Sequence, residues 1–230
     1  MLDLSNITIL TVNCTNPLMG AYALKYSCKD IKFKEALLFT HEDIRINGIN
    51  TISIPKLNSV DEYNDFILRL ADYIKSDYAL IIQDDGFILN ANMWDDRFLK
   101  YDFIGAVWPN EESWIERQKA KSIIREIYPR NRVGNGGFSL RSWRFMELSS
   151  EWKTCIGFGE DCFLNTINYN YMVASGINYP PIELANKFSM ENNLDKWDDI
   201  MYLDPSKHFG FHGHNFTNSN DLINLKKCVY

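Results

Sequence analysis

Ser59-Val-Asp-Glu-Tyr-Asn-Asp-Phe-Ile-Leu-Arg-Leu-Ala-Asp-Tyr-Ile74, followed after Lys75-Ser-Asp77 by Tyr78-Ala-Leu-Ile-Ile-Gln-Asp-Asp-Gly86, is the most informative run of the chain. Ser59-Val-Asp-Glu62 is a capping box, in which a serine hydroxyl accepts from the amide three residues on and the glutamate reaches back. Tyr63, Phe66, Ile67, Leu70, Ala71 and Ile74 then recur at helical spacing, which predicts a helix over 60–74. Tyr78 to Ile82 is a continuous apolar run directly after that helix, which suits a central parallel strand covered on both faces.

Working outward, Ile7–Val12, Ala36–Thr40 and Asn50–Ile54 read as further strands. Asn16 followed by Pro17 marks a helix start, since proline suits the first helical position. Asn47-Gly48 marks a turn before the third strand. The order strand, helix, strand, strand, helix, strand predicts an α/β domain with a Rossmann-like first half, its mostly parallel central sheet flanked by helices. Ligands of such sheets bind beyond the carboxyl ends of the strands. That rule nominates Thr11 and Asn13, Thr40, and the turn Gln83-Asp84-Asp85-Gly86 as donor-binding positions.

The acidic turn has a plain reading and a functional one. Asp-Gly is a common turn dipeptide. Two carboxylates leaving a buried strand together, however, repel each other and are costly to bury. A divalent cation relieves that repulsion and offers a platform for a diphosphate, and magnesium and manganese favour such oxygen ligands.

The chain has 230 residues, 46% hydrophobic, 14% aromatic and 23% charged, enough for a sizeable core within one domain. Its net charge of -6 with interspersed signs offers no basic stripe, which argues against nucleic-acid binding through phosphates. Cys14, Cys28, Cys155, Cys162 and Cys228 are scattered, so neither a zinc cluster nor a disulfide framework is expected. The start of the chain carries no leader signature and no apolar run approaches the ~20 residues of a membrane span. A soluble, cytoplasmic protein is the expectation, with peripheral membrane contact left open and the oligomeric state undetermined.

Later segments add candidates. Glu160-Asp161 sits in Gly157-Phe-Gly-Glu-Asp-Cys-Phe-Leu164, where glycines give way to a predicted helix through Phe163, Leu164 and Ile167. Acidic residues on a first helical turn are also favoured by the helix dipole alone. Gly134-Asn-Gly-Gly137 precedes a predicted strand Phe138–Leu140. Its glycines permit positive φ or close approach to a ligand, and its place in the chain sets Gly136 and Gly137 against a donor sugar. His212 and His214 fall in one aromatic segment, and imidazole suits manganese-like ions. Trp108, Trp114 and Trp143 offer flat faces to a sugar ring, although buried packing is the commoner role of tryptophan. The charged stretch 111–130 reads either as a helix or as a loop over the site, and the tail 217–230 has two lysines, too few for a membrane anchor.

Several of these motifs together resemble a bacterial and viral family of GT-A-type glycosyltransferases. They are Tyr78–Asn90 with its Gln-Asp-Asp-Gly core, Phe98–Ala106 with Trp108-Pro109, and Arg132–Ser142. Glu160-Asp161, Phe188–Glu191 and Phe209-Gly-Phe-His-Gly213 complete the set. The resemblance implies one GT-A-like domain, with 1–90 the nucleotide-binding half, 91–216 the donor-sugar and acceptor half and 217–230 a tail. It implies a nucleotide-sugar donor, a glycan or lipid-linked acceptor, and a Mn2+ or Mg2+ ion. Gln83 stands where many such enzymes carry the first aspartate of their metal motif. The resemblance therefore implies Asp85 as metal ligand with Asp84 in support, Gln83 as a neutral nucleoside contact and His212 as the residue closing the metal site, with His214 in reserve. It implies Asp161 as the base of an inverting transfer and Glu160 as a contact to sugar hydroxyls. A retaining transferase, a metal-dependent phosphoesterase and a non-catalytic carbohydrate-binding domain stand as alternatives; the scarcity of histidine counts against the phosphoesterase.

Overall fold

The computed structural model describes residues 1–109, 131–155, 157–191, 204 and 206–213. Trp114, the stretch 111–130, His214, Cys228 and the tail 217–230 lie outside the described residues.

Strand β1 (Leu2–Val12) feeds helix α1 (Pro17–Ser27), and β2 (Ile31–Thr40) and β3 (Asn50–Ser53) follow. Helix α2 (Val60–Leu68) leads to β4 (Tyr78–Ile82), and β5 (Phe103–Gly105) and β6 (Phe138–Ser142) complete a six-stranded sheet in the order β3-β2-β1-β4-β6-β5. The first four strands in that order pair in parallel. β6 runs antiparallel to both β4 and β5, so the sheet is mostly parallel with one reversed strand.

The apolar run of β4 explains its place. Ala79, Leu80, Ile81 and Ile82 are all fully buried, and alternate residues serve opposite faces. Leu80 and Ile82 pack in one cluster with Ala21 and Leu24 of α1, while Ala79 and Ile81 join Phe66 and Ile67 of α2 in another. The strand is covered on both faces as its composition predicts. Its pairing is parallel on the β1 side only, because the neighbour on the other side arrives as the reversed strand β6.

Two elements differ in extent from their sequence patterns. The helix predicted over 60–74 stops at Leu68 and continues as a tighter 3-10 turn at Leu70–Asp72. Leu70 and Ile74 still reach full burial, so the apolar stripe survives the change of winding. β1 and β2 begin earlier than the runs read from the sequence, and the added residues pair in register Leu2↔Ile31 and Asp3↔Lys32 before an irregularity ahead of Thr8. The N-terminal cap of α2 forms: the Glu62 amide donates to Ser59 Oγ at 3.1 Å, while the Glu62 carboxylate accepts from the Asn58 amide at 2.6 Å. α1 starts at Pro17, but its lead-in is held by Asn13, whose side-chain oxygen accepts from the Thr15 and Asn16 amides at 3.0 and 2.7 Å.

After β6 come α3 (Trp143–Ser149), a short helical turn at Glu160–Cys162 that widens into a π-turn over Phe163–Ile167, α4 (Tyr169–Ala174) and α5 (Ile182–Phe188). A small parallel pair, β7 (Ser189–Met190) and β8 (Gly210–Phe211), stands at the carboxyl end of the main sheet. Among the described residues no helix is long and apolar enough to cross a membrane. Cys14, Cys28, Cys155 and Cys162 are free thiols.

Candidate active site

A cavity of about 920 Å³ opens where the strand ends, the start of α2 and the β7–β8 pair converge. Asn13–Asn16 beyond β1 and Leu57–Val60 ahead of α2 line one part. Val12, Tyr63, Asn64, Gln83, Asp84, Asn135, Gly137, Gly159–Asp161, Glu191 and His212 line the rest.

The turn after β4 is shaped by what presses on it. The Gly86 amide closes the turn on the Gln83 carbonyl at 3.1 Å, and the Gly213 amide donates to the Asp85 carbonyl at 3.2 Å. A Cβ at Gly86 would stand 2.6 Å from the Phe211 carbonyl oxygen, so glycine is required for β8 to approach this closely. Phe87 and Phe211 meet edge to face at 4.6 Å between ring centres. Beyond the turn chemistry of Asp-Gly, this glycine admits the strand that leads into His212.

His212 is thereby set against the acidic turn. Its Nε2 lies 2.9 Å from Gln83 Oε1 and 3.3 Å from Asp85 Oδ1, and its Nδ1 faces Glu191 Oε1 at 3.4 Å. Glu191 also accepts from Asn135 Nδ2, and the Gln83 amide nitrogen donates to the Tyr63 hydroxyl at 3.0 Å. Burial disfavours the charged imidazolium, but hydrogen bonding to Asp85 and Glu191 and their charge outweigh it, lifting the His212 pKa to about 10. A Cβ at Gly137 would fall 2.3 Å from His212 Nε2, so Gly137 makes room for the imidazole.

The second half of the site surrounds Asp161. Its Oδ2 accepts from the Gly136 amide at 3.0 Å and its Oδ1 from the Cys162 amide at 2.7 Å. Burial first, and then the neighbouring Glu160 charge, push its pKa up to about 7. Glu160 is itself turned to Arg141, whose Nη2 donates to Glu160 Oε1 at 2.7 Å, and the Glu160 amide donates to Asn64 Oδ1 at 3.2 Å. One oxygen of its carboxylate is engaged on a buried guanidinium, while the residue still lines the cavity. The π-turn after this pair is a feature often found at functional sites.

The remaining sequence candidates divide clearly. Asn13, Gln83, Asp84 and Gly137 line the cavity. Thr11 and Thr40 do not: both side chains are fully buried, and Thr40 Oγ1 accepts from the Glu42 amide, because alternation along the strands turns them into the layers. Gly136 lies behind the wall and acts through its amide on Asp161. Neither Gly134, Gly136 nor Gly137 has positive φ; each is small because a side chain, Trp108, Glu160 or His212, packs where a Cβ would be. Trp108 is buried over Gly134, and Trp143 is exposed away from the cavity, so neither presents a face to a ligand there. Tyr63, Asn64, Asn135, Arg141 and Glu191 complete the arrangement without having stood out in the sequence. The signal for Glu191 was its place in Phe188-Ser-Met-Glu191, just after β7.

Two ligands of one octahedral ion, each at about 2.1 Å and at right angles, stand roughly 3 Å apart. Asp85 and His212 meet that spacing, and a carboxylate with an imidazole suits manganese-like ions. Among the described residues no group of three His, Cys, Asp or Glu side chains is arranged to hold a metal. The pair therefore fits an ion that takes its other ligands from Gln83, water or substrate oxygens, not a closed structural site.

The fold is that of GT-A glycosyltransferases. An active-site mutant of LgtC superposes with a TM-score of 0.54 at 13% identity, covering 96% of this chain and 94% of that one. LgtC described as a galactosyltransferase in complex with donor and acceptor sugar analogues gives 0.49 at 11% identity, over 96% and 95% of the two chains. Mouse xyloside xylosyltransferase 1, apo form, gives 0.48 at 12% identity, over 93% and 98%. At these identities the likeness concerns the fold alone. No curated protein matches the sequence. Residues 48–212, most of the chain and nearly all of the site just described, match one family model, and the chain belongs to that family, described as protein of unknown function (DUF5672).

Proposed function

We propose that this protein transfers a sugar from a nucleoside diphosphate donor, a uridine diphosphate sugar in the first instance, to a glycan or lipid-linked hydroxyl. The observation that carries the reading is one cavity with His212 in its wall at the strand ends, Asp85 3.3 Å from it just behind that wall, and the Asp161 carboxylate in another part of the wall. The shared fold of GT-A glycosyltransferases supports it.

Asp85 and His212 would hold Mn2+ or Mg2+, with Asp84 beside them on the wall and Gln83 as a neutral contact to the nucleoside. A bound ion supplies charge neutralisation for the departing diphosphate. The sequence positions on the β1 side of the cavity, Asn13 foremost, would face the nucleoside, and Asn135, Gly137 and Glu191 the sugar. Asp161 then accepts the proton of the attacking hydroxyl as its oxygen bonds to the anomeric carbon. A carboxyl whose pKa is pushed up to about 7 is well matched to that task near neutral pH. The two amides on its oxygens hold it while each oxygen keeps a lone pair for the incoming proton.

Asp161→Asn tests the role. The account expects unchanged nucleotide binding and a loss of turnover of about 100-fold or more, the usual scale for a general base. Turnover is read as release of nucleoside diphosphate from uridine and guanosine nucleotide-sugars with manganese present. Near-normal turnover in the variant would remove Asp161 from the mechanism.

A further inference from the structure

Arg141 does not line the cavity, yet it reaches both sides of Asp161. It extends from β6 with its side chain almost wholly buried, the guanidinium 5.4 and 5.9 Å from the ring centres of Phe103 and Phe145. Its Nη2 donates to Glu160, the residue preceding Asp161, at 2.7 Å. Its Nε donates to Ser139 Oγ at 3.1 Å, and that hydroxyl donates to the Gly136 carbonyl at 2.9 Å. Gly136 is the residue whose amide grips Asp161 Oδ2. The packing at this point leaves no slack: a Cβ on Gly136 would stand 2.6 Å from Glu160 Oε1 and 3.0 Å from both Arg141 Nη2 and Asp161 Cβ.

We propose that Arg141 is a positioning residue that sets the orientation of the Asp161 carboxylate, by tying the loop before β6 to the helical turn that starts at Glu160. One planar guanidinium fixes the two backbone grips on Asp161, the Gly136 amide and the Cys162 amide, relative to each other. Only a fork can do this; a lysine ammonium is a single point that reaches one arm or the other. The inference rests on reading Asp161 as the proton-accepting carboxylate. Without the tie each grip survives separately, but the direction of the carboxylate is no longer determined. Misplacement of a reacting group by about 1 Å can cost roughly 100-fold in rate.

The test follows the amide protons of Gly136 and Cys162 by NMR in isotope-labelled protein across a pH titration. The charged and titratable groups facing Asp161 are Glu160 on its own turn, Arg141 behind Glu160, Cys155 ahead of that turn, Glu191 just after β7, Tyr63 on α2 and His212 across the cavity. Asp161→Asn identifies the part of the response that belongs to Asp161. In the wild type both amides move together as Asp161 ionises. In Ser139→Ala and in Arg141→Lys the Gly136 response to Asp161 ionisation shrinks while the Cys162 response persists. Wild-type titration of both amides in both variants overturns the proposal. If Arg141→Lys does not fold, Ser139→Ala alone decides, because it removes one hydroxyl and leaves the ion pair. Release of uridine diphosphate from UDP-galactose or UDP-glucose with manganese gives the companion readout: kcat falls on the order of tenfold or more at unchanged KM in Ser139→Ala. A wild type inactive on every nucleotide-sugar speaks against sugar transfer, whereas the amide titration needs no substrate and judges the positioning by itself.

Discussion

Asp161 is held in a state that folding alone would not choose. Its pKa, pushed up to about 7 mainly by burial, lies above the ordinary carboxylate value of 3.8. A raised acid favours the folded state only while protonated, so this contribution is full below pH 3.8 and is lost as pH rises through about 7. Asp161→Asn is therefore expected to raise the melting temperature at pH 8 and to have little effect at pH 4, a comparison that scanning calorimetry makes directly. The same ionisation places an acid limb near pH 7 on turnover, since the protonated form cannot accept the acceptor's proton. A pH–kcat profile flat from pH 5 to 8 would contradict the assignment. His212 behaves in the opposite sense. With its pKa lifted to about 10 by Asp85 and Glu191, a metal bound as proposed would have to displace a proton from it near neutral pH. Manganese uptake is then expected to release a proton and to tighten with pH by up to about tenfold per unit. Calorimetry in buffers of different ionisation enthalpy reads that proton.

At the scale of elements, the site depends on close approach of short segments, and glycines set the distances. Gly137→Ala would drive a methyl into the His212 imidazole, 2.3 Å from Nε2, and displace it from Asp85. The expected cost is about 1–3 kcal/mol of stability, as for overpacked interiors, together with loss of the metal response. Chemical denaturation and a manganese titration check the two parts. Retention of both would show that His212 is free to move. Much of this level was legible in the sequence. The capping box at Ser59, the apolar run of β4 and the acidic turn that follows it are local patterns, and local patterns are what periodicity reports. The reversed direction of β6 was not, because alternating apolar residues look the same in parallel and antiparallel pairs. Nor were the partners of the site residues. The Gln83–His212 contact spans 129 positions, Glu160–Asn64 spans 96 and Asn135–Glu191 spans 56. Arg141 lies just past the predicted strand Phe138–Leu140, and only the fold turns it inward onto Glu160.

For the whole molecule, the question is what an acidic cavity at the end of a mostly parallel sheet is built to receive. Asp84, Glu160, Asp161 and Glu191 line it, with Asp85 just behind, and His212 is the one basic side chain among its described lining residues. On the proposed reading a cation meets the diphosphate in this acidic site, so metal and nucleotide are expected to bind as a unit. The measurement that tests this most directly is the thermal stability of the full chain with uridine and guanosine diphosphates, each with manganese and with chelator, beside His212→Ala. Ligand binding to the native state at 100 times Kd adds about 2.7 kcal/mol, and each kcal/mol raises the melting temperature of a chain of this size by roughly 2–4 °C. The account predicts stabilisation by nucleotide and manganese together, little by nucleotide in chelator, and a lost response in His212→Ala. No response to either nucleotide with manganese, or an equal response with chelator, would contradict it.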